Sequence, residues 1–171
     1  MDSDTIVRSP ISKGRSMKTW AIAIVGILVV IVGVFVGVKK VSPLSWGMWG
    51  TYNTSAGLAL KGYDPVAYIK DAKATLGDSQ YSYDWRDATW RFASADNLAL
   101  FELDPEAYAP QFGGFCSFAA SKGFTADTSP DAWHVMDGKL YVFADKDVQA
   151  EWVAGIGDGT LEASTTNWEK R

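Results

Sequence analysis

The sequence predicts an α+β fold, a small domain of antiparallel β-hairpins and short helices preceded by one N-terminal transmembrane helix. Three observations predict it. Thr19 to Val38 is an almost unbroken apolar run without a charge. Two later segments, Tyr81–Phe92 and Trp133–Phe143, alternate apolar with polar residues around a turn, the pattern of a hairpin with one apolar face. Ser94, Asp104 and Asp145 each precede a stretch of helical spacing, the place of an N-cap.

Residues 1–18 are polar, basic and serine-rich and read as a short cytoplasmic tail. The run at 19–38 is long enough to span about 30 Å of hydrocarbon as a helix. A removable signal peptide has a shorter apolar core and a small-x-small cleavage site. This run ends instead in Lys39-Lys40, so an uncleaved anchor is expected rather than a signal or a core helix. Four basic residues precede it and two follow it closely, which puts the N-terminus in the cytoplasm and the domain outside. The expected location is the inner membrane, single-pass, with the domain on the periplasmic side.

Val41 to Gly57 is rich in Gly and Ser and carries Pro43, Trp46, Trp49 and Tyr52, so residues 39–57 read as a linker and 58–171 as the domain. Within it, Asp64-Pro65 signals a bend into a short strand. A turn at 87–88 would set Trp85 opposite Trp90 and Tyr83 opposite Phe92. Asp137-Gly138 is a strong hairpin turn signal and pairs Val135 with Leu140 and Trp133 with Val142. Asp145 caps a helix carrying Val148 and Trp152 and ending at Gly155. The tail to Arg171 is mostly polar, with Trp168 as a docking anchor.

Totals exclude several functions. One cysteine forbids an internal disulfide, and one histidine excludes a multi-histidine zinc site. Residues 1–40 hold six basic and two acidic residues, so the formal charge of −4 leaves −8 for residues 41–171. A domain this acidic lacks the basic footprint of nucleic-acid binding.

Chemistry centres on the stretch Gly113 to Gly123, which holds the single cysteine. A short helix over Phe115 to Lys122, stopped at Gly123, would put Cys116 in its first turn. There, backbone N–H groups and the helix dipole favour a thiolate. Against this stands the reading of Cys116 as a small buried apolar residue.

Four motifs in linked order resemble the YHS domain-containing (seleno)protein family: Gly62-Tyr63-Asp64-Pro65-Val66-Ala67-Tyr68, Trp90-Arg91-Phe92-Ala93-Ser94, the run Asp104 to Cys116, and Asp137-Gly138-Lys139-Leu140-Tyr141. The likeness covers about residues 58–168. It implies a small YHS-like α+β module and redox or metal chemistry at Cys116, the position that matches a selenocysteine in some members. Metal-linked YHS domains carry more than one cysteine, and this chain has one.

The function expected from this is soft-metal handling, with Cys116, His134 and Met136 as ligands suited to copper. His134 and Met136 stand two apart on a strand and point the same way. A second reading is a thiol-redox enzyme or sensor with Cys116 as the catalytic atom, which needs an external thiol. A third is a non-catalytic accessory subunit with a membrane-protein partner. Asp64 and Asp104, each before a proline, read as turn and cap residues.

Overall fold

The computed structural model describes residues 17–171; the tail expected over 1–18 lies, up to residue 16, outside the described residues. The order is α1 (Met17–Lys39), β1 (Ser42–Pro43), β2 (Thr54–Ser55), β3 (Leu58–Ala59), α2 (Pro65–Lys70), β4 (Asp78–Trp85), β5 (Ala88–Phe92), α3 (Ala95–Leu103) and α4 (Pro105–Tyr108). It continues with α5 (Ser117–Ser121), β6 (Phe124–Thr125), β7 (Ser129–Met136), β8 (Lys139–Phe143), α6 (Lys146–Ala154) and α7 (Thr160–Glu169). The mixture is α+β, with antiparallel hairpins, short helices and one apolar N-terminal helix. From Trp20 to Lys39, α1 is long and apolar enough to cross a membrane, and none of that span is fully buried.

Residues 39–57, expected as a linker, are instead part of the domain. β1 pairs antiparallel with β6, Ser42 opposite Thr125, and Leu44 is buried. Tyr52 packs edge-on to Trp90 with ring centroids 5.0 Å apart. The buried Asn53 donates from Nδ2 to Gly114 O (3.1 Å) and Asp127 Oδ1 (3.0 Å). Asp127 in turn pairs with Lys61 at 3.0 Å. Burial pushes the Asp127 carboxyl up, but hydrogen bonds from Asn53, Lys61 and the Thr128 backbone outweigh it and hold the group below its ordinary range.

The expected strand after Asp64 is a helix, α2. Asp64 caps it: Oδ1 accepts from the N–H groups of Val66 (2.8 Å) and Ala67 (3.2 Å), and Pro65 fills the first helical position. The other carboxylate oxygen accepts from Ala93 N–H (2.8 Å) and Asn97 Nδ2 (2.7 Å), so one fully buried residue ties α2 to β5 and α3.

Both hairpins form. In β4–β5 the turn falls at Arg86-Asp87, one residue earlier than expected, with φ of +48° and +62°. Tyr83 therefore faces Trp90, and Trp85 faces Ala88. Moving a two-residue turn by one residue shifts each partner by two, so every side chain keeps its face. Trp90 and Phe92 are fully buried beneath Phe101 of α3, with centroids 5.0 and 5.1 Å from it. β7–β8 has the expected register, Val135 opposite Leu140 and Trp133 opposite Val142.

The core has two clusters, and β7–β8 lies between them. One gathers Val66, Tyr68, Trp90, Phe92 and Phe101 with Leu140 and Val142. The other gathers Phe112, Cys116, Ala132, Tyr141, Phe143 and Trp152. The caps Ser94, Asp104 and Asp145 accept from Asn97, Ala107 and Val148 N–H, as their spacing implies. The polar C-terminal segment is helical, as α7. It packs through the fully buried Ser164, whose Oγ accepts from Trp152 Nε1 (3.1 Å) and lies 3.0 Å from Ser117 O. Asn167 Nδ2 donates to Ala120 O and Ser121 O (both 3.0 Å), closing the C-terminal end of α5.

Candidate functional site

Cys116 does not lie inside a helical turn. It stands just before α5, with φ −59° and ψ 118°, and its N–H donates to Ala126 O at 3.0 Å. Only 1% of the residue is exposed. Around it stand Phe112, Tyr141, Phe143 and Trp152, whose rings pack on one another: Tyr141 to Trp152 at 5.0 Å and Phe143 to Trp152 at 5.3 Å between centroids. Burial pushes the thiol pKa up. The backbone N–H groups of Ala119, Ala144 and Phe118 oppose that shift without cancelling it. The geometry therefore follows the buried-residue reading of Cys116, not the activated thiolate.

That environment makes two expectations. In the folded full chain, Cys116 should react with iodoacetamide about a hundredfold or more slowly than in the unfolded chain, because the sulfur is reached only through opening. The raised pKa also sets a sign. The folded chain keeps the neutral thiol while the unfolded chain ionises near the usual thiol value. The stabilisation is thus complete below about pH 8.5 and is lost as pH rises through the folded pKa. Urea unfolding between neutral and alkaline pH should show a stability loss that Cys116→Ala reduces; an identical slope in both chains refutes the assignment.

Met136 is partly buried and packs against the same cluster as Cys116. His134, opposite Tyr141 in the hairpin, lines a separate open groove of about 920 Å³ with Asp131, Trp133, Lys146 and Gln149. Among the described residues, no group of three or more His, Cys, Asp or Glu side chains could hold a metal ion.

Beside the sealed cysteine the same loop shapes a cleft of about 510 Å³. Its floor is aromatic, from Tyr52, Phe112, Tyr141 and Trp168. Its rim is charged, with the exposed Arg86–Glu106 ion pair, Lys139 and Glu169. Phe112 holds φ +53° and ψ 37°, a left-handed conformation costly for a bulky residue. Gly113 follows at φ +58°; its carbonyl accepts from Asn53 N–H at 2.7 Å. Trp168 packs on Phe112 and Phe115 with centroids 6.1 and 6.0 Å away, so the anchoring role expected of it is realised.

Burial raises the pKa of the Tyr52 phenol, against the pull of Arg86. Burial and the charge of Asp137 raise that of Tyr141. Both phenols are neutral hydrogen-bonding groups near pH 7. An aromatic floor with neutral phenols and a mixed-charge rim can bind a ligand with apolar and polar parts. Its lining contains neither cysteine nor histidine.

The sequence singles out the stretch Gly113 to Gly123 but not the cleft beside it. Its walls come from segments more than 100 residues apart in the chain, and nothing local in Arg86, Glu106 or Lys139 signals their convergence. Comparison with protein-family models, with curated proteins and with solved structures yields no match.

Proposed function

We propose that this chain is a membrane-anchored, non-catalytic accessory module whose cleft over the Phe112–Gly114 turn receives a segment of a membrane-protein partner. The observation that carries the reading is the contrast between neighbours. The single thiol is 1% exposed and held protonated, while the adjoining cleft is open and lined by aromatic and charged groups. Aromatic residues ringed by charges are the composition of protein recognition sites. α1 serves as the retained anchor, and the excess of Arg8, Lys13, Arg15 and Lys18 over Lys39 and Lys40 directs the domain to the extracytoplasmic side. The domain is read as YHS-like on its four motifs, and Asp64-Pro65 in the first of them acts as a structural clamp.

Soft-metal or redox chemistry at Cys116 is the second reading. It is favoured by the backbone N–H groups of Ala119, Ala144 and Phe118 around the sulfur, which would support a thiolate if the cluster opened. Two measurements on the detergent-solubilised full chain separate the readings. In a Cu(I) titration, wild type and Cys116→Ala are expected to bind alike and weakly. In co-purification, Cys116→Ser is expected to keep the partners of the wild type, and Lys139→Glu, a charge reversal at an exposed rim position, to lose them. Tight copper binding that vanishes in Cys116→Ala, or partner loss confined to Cys116→Ser, overturns the accessory reading.

A further inference from the structure

α1 joins the domain without a free stretch of chain. Lys40 takes φ +51° and ends the helix. Val41 N–H then donates back to Phe35 O (3.2 Å), and Asp127 N–H donates to Lys39 O (2.8 Å). Lys40 Nζ donates to Asn53 Oδ1 at 2.5 Å and to Thr54 O. β1 begins two residues later and is paired with β6 from its first residue. A flexible linker would let the domain stand off from a bilayer. This junction fixes the β1–β6 side at the depth where α1 leaves the hydrocarbon.

The surface at that foot is suited to such a position. Among the described residues, four large apolar side chains of the domain are exposed: Met48, Leu76, Leu103 and Phe124. Two of them sit at the foot. Phe124 lies opposite Pro43 in the β1–β6 pair, and Met48 follows the turn that Gly47 N–H closes onto Leu44 O. Trp49 is held beside them by its Nε1 bond to Ser42 Oγ (2.9 Å). The foot is also basic, although residues 41–171 carry −8 overall. Lys122, whose Nζ lies 4.9 Å from the Phe118 ring centre, comes just before β6. Arg171 reaches Trp49 O (2.7 Å) and Gly50 O (2.5 Å), which brings the end of α7 to the same side.

We propose that the β1–β6 ribbon and the Gly47–Gly50 turn rest in the anionic headgroup layer of the bilayer that α1 crosses. Met48 and Phe124 are seated among the acyl-chain ends, and the basic side chains face phosphates. Apolar side chains with neighbouring cations are what an interfacial surface presents to anionic lipid. The inference rests on the anchor reading and adds a fixed orientation to it. Thr51 and Tyr52, next along from the turn, line the cleft, which therefore opens close to the bilayer surface.

The test is nitroxide labelling of the full chain in phosphatidylcholine–phosphatidylglycerol vesicles, one label at a time, at Met48→Cys, Phe124→Cys, Leu103→Cys and the mid-span Val29→Cys. The unsubstituted chain, with its sealed Cys116, is the blank. Labels at 48 and 124 are expected to lose collisions with a water-soluble nickel chelate and to gain them with oxygen. The label at 103 should stay chelate-accessible, and the label at 29 should be reached by oxygen alone. Chelate access at 48 and 124 with position 29 shielded refutes the resting surface and leaves the anchor standing. Chelate access at 29 refutes the anchor and the inference with it.

Discussion

Asp64→Ala is expected to destabilise the domain by about 3–8 kcal/mol, comparable with the whole stability of a domain this size. The side chain is fully buried and accepts four hydrogen bonds, two from the first turn of α2 and two from Ala93 and Asn97. Loss of the N-cap alone costs about 1–2 kcal/mol. Leaving the Ala93 N–H and the Asn97 amide buried without acceptors adds about 1–3 kcal/mol for each. Asp64→Asn should be milder. Its carbonyl keeps the cap, and Asn97 can rotate its amide to accept from the new NH2, so that only the Ala93 donor is orphaned. Urea unfolding of the detergent-solubilised chain, followed by tryptophan fluorescence, checks both. An alanine variant within about 1 kcal/mol of wild type would mean that the carboxylate does not clamp these elements.

The same residue shows what the sequence disclosed and what it withheld. Asp64-Pro65 was legible as a boundary, because aspartate before proline has few other uses. Which element followed was not, since α2 has six residues and is too short to show a helical period. The β4–β5 hairpin was legible in its faces, which depend on alternation alone. Its turn was not, because Arg86 and Asp87 adopt positive φ without the glycine or asparagine that usually marks such a turn. β7–β8, with Asp137-Gly138, carries both signals, and its register follows from them.

Parts that depend on distant partners stayed hidden. Residues 39–57 have a linker's composition, and their order comes from Thr125, Gly114 and Asp127, some 60 to 85 positions along the chain. α7 docks through the buried Ser164 and the half-buried Asn167, with Leu161 and Trp168 as its only large apolar side chains, so its sequence has a polar tail's composition. The state of Cys116 turned on Tyr141, Phe143 and Trp152, residues of two other elements. Local spacing showed a thiol near a helix start, and only the packing showed that it was sealed.

Gly113→Ala tests the loop that joins all these parts. A Cβ at Gly113 would lie 2.2 Å from Thr51 O, a backbone atom that cannot rotate away, and 3.2 Å from the Trp168 ring. The residue also holds φ +58°, costly for alanine by about 1–2 kcal/mol. Overpacking adds about 1–3 kcal/mol. The total, about 2–5 kcal/mol, corresponds to a fall in Tm of about 5–20 °C for a domain of this size. Gly114→Ala is the matched control: its φ is +71°, but the nearest atom to a new Cβ is Pro110 Cγ at 3.2 Å, on a side chain. It should lose only the left-handed penalty and a small packing cost, about 1–2 kcal/mol. Equal losses in the two variants would remove the Thr51 contact from the argument. A larger loss at 113 ties the cleft floor to the Thr51–Asn53 loop, whose Asn53 N–H bond to Gly113 O must then break or shift. Because that loop leads back to β1 and α1, the variant should also loosen the foot, and a nitroxide at Phe124→Cys in the Gly113→Ala chain should become more mobile.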